Sequence, residues 1–165
     1  MTCILISDIH LSEKPEYSYR FSIFDWLLKQ CAKYKATHIF FLGDLTDSKD
    51  HFPGWFVNKC IDSISKITDA GIKFGWLYGN HDGLTSDSAF FKFIEKHSDN
   101  IRYYTEPTID DTFYSKTIVW LPHSRDISAY QLDPDDVACA DYVFLHGAVA
   151  GCKAANGQVM SGIVS

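Results

Sequence analysis

Four short apolar runs in this 165-residue sequence each end on side chains that can bind a metal or carry a proton. Ile4, Leu5, Ile6 and Ser7 lead to Asp8 and His10; Ile39, Phe40, Phe41 and Leu42 lead to Gly43, Asp44 and Asp47. Trp76, Leu77 and Tyr78 lead to Gly79, Asn80, His81 and Asp82, and Val143, Phe144 and Leu145 lead to His146 and Gly147. Asp and Asn favour strand ends as turn formers in any case, but turn preference alone does not account for four matched endings. Asp8, His10, Asp44, Asn80 and His146 offer carboxylate, amide and imidazole donors without a thiolate. Such a set suits manganese, iron, zinc or magnesium rather than a structural zinc cage. A central carboxylate can bridge two ions. Two ions about 3.5–4 Å apart would activate a water and stabilise both oxygens of an in-line displacement at phosphorus. The expected chemistry is phosphoester hydrolysis.

The elements that must position these groups follow from periodicity. Residues 2–7, 38–42 and 72–78 read as buried strands. Between them, residues 19–35 carry Phe24, Leu27, Leu28 and Cys31 at helical steps, and residues 53–70 carry Val57, Cys60, Ile61, Ile64 and Ile67, with Gly71 as the stop. Alternating strands and helices with short connections predict a parallel sheet with right-handed crossovers. In such sheets ligands bind beyond the carboxyl ends of the strands, where the four endings would converge. A helix over residues 86–97 is followed by short strand-like runs at 101–104, 112–114, 117–121 and 141–145. Four glycines break up the tail from Gly147 onward, leaving only a short strand-like stretch at 159–164. The expected architecture is an α/β layered sandwich of two mixed β-sheets flanked by helices, a single domain over residues 1–165.

Hydrophobic residues make up 46% and charged residues 22%, which places the chain among ordinary globular proteins. A formal charge of −6 and no basic run give no support to a nucleic-acid binder that works by electrostatics alone. Five cysteines without a C-x-x-C pair indicate neither a disulfide framework nor a thiolate zinc site, and they read as core filler in a reducing compartment. The N-terminal apolar run is too short for a signal sequence and nothing approaches a membrane span, so a soluble, cytoplasmic protein is expected.

Asp8-x-His10, Gly43-Asp44-x-x-Asp47, Gly79-Asn80-His81-Asp82 and His146, in that order and each after a strand, resemble the first four signatures of the calcineurin-like metallophosphoesterases. The resemblance runs from residue 3 to about residue 147. It implies that Asp8 and His10 hold one metal, Asp44 bridges, and Asn80 and His146 hold the second, with manganese the first expectation for both. It further implies that His81 contacts the phosphate or protonates the leaving group, and that Asp47 orients His81. Asp82 is read as a turn cap. Within the family, the segment Ile6 to Leu11, the segment Gly43 to Ser48 and the His146-Gly147 step are most similar to SbcD-type nuclease subunits. Those act on DNA with an ATPase partner. The family's last signature, Gly-His-x-His, has no match after His146. The expectation is therefore a domain lacking its last strands, and an incomplete, weakly active module stands beside the nuclease reading. A phosphatase or cyclic-nucleotide phosphodiesterase acting on small substrates is the other alternative.

His123 follows the run Ile118 to Pro122 and precedes Arg125. The pair would line the substrate groove with Arg125 gripping a phosphate, or else form an exposed loop in which Arg125 pairs with Asp126. His51 and Trp55 read as a solvated loop and a core aromatic. His38 and His97 read as structural.

Overall fold

The computed structural model describes residues 2–113, 116–124, 130, 132–153 and 157–160. Among the described residues, seven strands form two sheets: β1 (Cys3–Ile6), β2 (His38–Phe41), β3 (Lys73–Leu77) and β4 (Ile101–Tyr104) in one, β5 (Thr108–Phe113), β6 (Lys116–Leu121) and β7 (Tyr142–Leu145) in the other. All pairs in the first sheet are parallel. In the second, β5 pairs antiparallel with β6, and β6 parallel with β7. The layered two-sheet α/β arrangement is the expected one; only the second sheet is mixed.

Side-chain alternation along the central strands divides the interior in two. Ile39 and Phe41 of β2, with Phe74 and Trp76 of β3, face α1 (Ser22–Tyr34) and α2 (Gly54–Asp69) in a large core. That core takes Phe24, Leu27 and Cys31 from α1 and Phe56, Cys60, Ile64 and Ile67 from α2, the helical spacing read from the sequence. Phe40 and Leu77 point the other way and meet Ile118 and Trp120 of the second sheet in a smaller core. Tyr104 stacks on Trp120 with ring centroids 4.0 Å apart and planes 5° from parallel, which ties the edge of one sheet to the centre of the other. Both faces of β2 are thus covered, so it reads as an unbroken apolar run.

Several elements differ from the expectation. Residues 86–97 form 3-10 segments, Ser86–Ser88 and Phe90–His97, and another 3-10 turn, Pro15–Phe21, leads into α1. β5 begins four residues before the run at 112–114. A short helix, α3 (Pro134–Ala138), is capped by the Asp133 side chain accepting from the Asp135 N–H at 2.9 Å. In the tail, Val159 makes an isolated bridge with Lys153. Arg125, Asp126 and residues 161–164 of the expected last strand lie outside the described residues. Among the described residues no helix is long and apolar enough to cross a membrane.

Candidate metal centre

The loops after β1 and β2 run side by side, joined by main-chain hydrogen bonds. Asp8 N donates to Gly43 O, His10 N to Asp44 O, Leu11 N to Leu45 O, and Asp47 N back to Leu11 O, at 2.8–3.1 Å. To keep this pairing while turning their side chains to one side, Asp8, His10 and Asp44 adopt left-handed backbone, with φ of 56°, 49° and 55°. Non-glycine residues seldom do so, and such strain concentrates at functional sites. The only other such residue among the described ones is Lys35, which ends α1.

Asp44, 4% exposed, is the centre of the cluster. Its Oδ2 lies 3.7 Å from His10 Nε2, and its Oδ1 lies 3.5 Å from His146 Nε2 while accepting the His81 N–H at 2.8 Å. Burial alone would raise its pKa, but His146 and the His81 amide hold it below the usual carboxylate value. His146 donates from Nδ1 to the Leu42 carbonyl at 2.8 Å, which directs Nε2 inward, 3.2 Å from Asn80 Oδ1. Burial works against a charge on this ring, yet Asp44, the Leu42 carbonyl and Asp8 together raise its pKa to about 9.

Among the described residues, two groups have ligand atoms within 4.8 Å of one another: Asp8, Asp44 and His146, and His10, Asp47 and His81. Asp8 thus falls with Asp44 and His146, a different grouping from the pairing with His10 that the resemblance implies. His10 Nδ1 is buried without a hydrogen-bond partner and stands 3.7 Å from Asp47 Oδ1, so both ring nitrogens face carboxylates across gaps too wide for a hydrogen bond. An orphaned buried nitrogen, an inward imidazole beside an amide oxygen and a shared carboxylate fit divalent cations. Asp47 does reach His81, but through its main chain: His81 Nδ1 lies 2.8 Å from the Asp47 carbonyl oxygen.

Asp82 is more than a turn cap. Wholly buried, it accepts from Asp44 N, Gly79 N and Trp76 Nε1 at Oδ2 and from Thr46 N at Oδ1, with Thr46 Oγ1 also 3.2 Å from Oδ1. Burial and the Asp44 charge push its pKa up, and these donors pull it back. A group that only accepts satisfies them all, so Asp82 sits as a carboxylate and fixes the Asp44 and Asn80 loops together. Asp44 and Thr46, two of its donors, lie more than thirty residues away in sequence, so local spacing left no signal of this role.

Glycine is required at two points. A Cβ at Gly43, where φ is +98°, would fall on the His146 ring, and one at Gly79 would fall on the Asp44 backbone nitrogen and Oδ1. Gly43→Ala is expected to displace His146 and weaken metal affinity about 10–100-fold, the range for disturbed ligand support, as read by isothermal titration with Mn2+. Unchanged affinity would show that His146 takes no part in binding.

A cleft of about 780 Å3 opens over the cluster, lined by Asp8, Asn80, His123 and His146 and, from the tail, Cys152 and Lys153. Lys49 lines it as well. His123 is held by its N–H to the Tyr78 carbonyl at 2.8 Å, with its ring centroid 6.3 Å from that of His146. Arg125, its expected companion, lies outside the described residues. Lys49 and Lys153 carry no motif and could be found only from the fold.

No curated protein matches the chain. Among solved structures, a crystal structure of Pseudomonas putida nuclease MPE is similar, at 18% identity and a TM-score of 0.49, over 74% of this chain and 54% of that one. The present chain therefore spans about half the length of that relative. The model of the calcineurin-like phosphoesterase family matches residues 1–155, the stretch that holds every strand-end ligand described above, and the chain belongs to that family.

Proposed function

We propose that the chain hydrolyses phosphoesters at a centre holding two divalent ions, with the phosphodiester backbone of DNA as the favoured substrate. The observation that carries this reading is the position of Asp44, whose two carboxylate oxygens each face a different histidine, His10 and His146. Asp8, Asp44, Asn80 and His146 would hold one ion, and Asp44 and His10 would reach the other. When bound, the ions supply Lewis acidity toward the phosphoryl oxygens and make water a competent nucleophile at neutral pH. The His81 Nδ1–H donates to the Asp47 carbonyl and orients the ring, so that its imidazolium form would give the second proton, on Nε2, to the departing oxygen. Lys49 and Lys153, in an otherwise acidic chain, place positive charge along the cleft for the phosphates on either side. His123 lines the same cleft and would face the substrate. The similarity to SbcD-type nuclease subunits favours DNA and an ATPase partner that brings further basic surface.

The test compares DNA with bis-p-nitrophenyl phosphate in manganese, with ion stoichiometry measured alongside. Two ions per chain, turnover abolished by chelation and restored by manganese, and cleavage of DNA are expected. Activity confined to the small ester would instead indicate a small-substrate phosphatase or phosphodiesterase. One weakly held ion without turnover would indicate an incomplete module.

A further inference from the structure

Most large aromatic side chains that the fold leaves exposed already have a partner. Arg20 lies over Tyr17 and Lys33 over Tyr34; Trp55 packs on Phe56, Phe90 on Phe52 and Tyr142 on Phe144. Tyr19 and Trp26 are 66% and 50% exposed, and neither packs on a ring or a cation among the described residues. Both line one groove of about 470 Å3 with Ile9, Arg20, Ser22 and Ile23, a volume within the range of ligand sites.

The groove adjoins the metal centre. Ser7 and Asp8 line the cleft, and the next residue, Ile9, lines the groove. Arg20 donates to the carbonyl of His10, so the groove is fastened to the loop that presents two candidate ligands. The groove thus lies beside the loop that carries Asp8 and His10, and it offers two unpartnered aromatic rings and a guanidinium to a strand whose phosphate enters the cleft. Aromatic faces accept any base by stacking, and arginine adds a cation for the base or the adjoining phosphate.

Resting on the phosphodiester reading above, we propose that the Tyr19–Trp26 groove holds an unpaired nucleobase of a polynucleotide strand, making the enzyme selective for single-stranded or frayed ends. A second copy of the chain fits the groove poorly. Its few lining residues are far fewer than the roughly 20–30 residues a side of a stable interface, and burial would strand the Arg20 charge without a counterion.

Tryptophan fluorescence tests this without turnover. Trp76 and Trp120 are fully buried, so Trp26 and Trp55 are the exposed reporters. Titration of the chelator-treated protein with a short oligothymidylate is expected to quench emission saturably. Trp26→Phe, which keeps a stacking ring, should lose most of that signal and retain affinity by fluorescence anisotropy of the labelled oligonucleotide. Trp26→Ala should weaken that affinity by at least about fivefold, the lower bound for one lost stack. It should also lower, by a similar factor, the ratio of kcat/KM for oligothymidylate to that for bis-p-nitrophenyl phosphate. Wild-type affinity in Trp26→Ala, equal affinity for blunt duplex, or concentration-dependent dimerisation abolished by Trp26→Ala would each overturn the proposal. Hydrolysis of the small ester reports separately on the reaction centre, so failure of the phosphoesterase reading is distinguishable from failure of the groove.

Discussion

Asp82→Ala is expected to leave little folded protein. The substitution removes the acceptor for Asp44 N, Thr46 N, Gly79 N and Trp76 Nε1, all of them buried. A buried donor without a partner costs about 1–3 kcal/mol, and four together rival the roughly 5–15 kcal/mol by which a whole domain is stable. Only Thr46 Oγ1 has other acceptors at hand, the Ser48 and His81 carbonyls at 3.2 Å. Asp82→Asn separates the acceptor role from mere volume. Its one remaining oxygen best replaces Oδ2, which serves three donors, and its amide NH2 then faces Thr46 N. A loss of about 1–3 kcal/mol is expected for that variant, measured as a shift in the urea midpoint with unchanged slope. Wild-type stability in Asp82→Asn would mean that the carboxylate is not needed as a double acceptor.

His81→Ala is expected to lower kcat on a DNA substrate about 10²–10⁴-fold, the usual contribution of a general acid. The loss should be smaller for bis-p-nitrophenyl phosphate, because p-nitrophenolate departs without needing a proton. Ion stoichiometry should be retained. Equal losses on both substrates would refute the acid role, and a lost ion would instead make His81 a ligand in the group with His10 and Asp47. Asp47→Asn probes the other half of the arrangement. Because the Asp47 carbonyl rather than its carboxylate meets His81 Nδ1, the amide variant leaves that contact in place. It removes only the charge 3.7 Å from His10, so its effect on the leaving-group dependence should be slight.

The strand ends were legible because these strands are short apolar runs followed at once by the ligands; β1, β2, β3 and β7 fall within a residue or two of their expected limits. Less legible were features that depend on long-range contact. Asp82 looks like any turn aspartate until Trp76 and Thr46 are folded onto it. Nothing in the spacing of Asp47 tells its carbonyl from its carboxylate. The left-handed backbone at Asp8, His10 and Asp44 exists only because the two loops pair. β5 contains Asp110 and Asp111 and is an irregular partner whose register shifts between Asp110 and Phe113, so it lacks a clean alternation. α3 is too short for periodicity, although Asp133 followed by Pro134 is a helix-start signal that would have found it.

The thin second core, with Phe40, Leu77, Ile118 and Trp120 between the sheets, carries a dynamic consequence. Regions held by few buried contacts open below the global unfolding free energy. The β5–β7 sheet should therefore exchange its amide hydrogens through partial openings in which β1–β3 and their helices stay closed. His146 follows β7, whereas Asp8, Asp44 and Asn80 follow strands of the first sheet. Each such opening would divide the ligand set, and ions bound across the divide would oppose it by mass action. Metal ions should then slow exchange in β6 and β7 far more than in β2, so that bound ions would act as a rivet between the two layers.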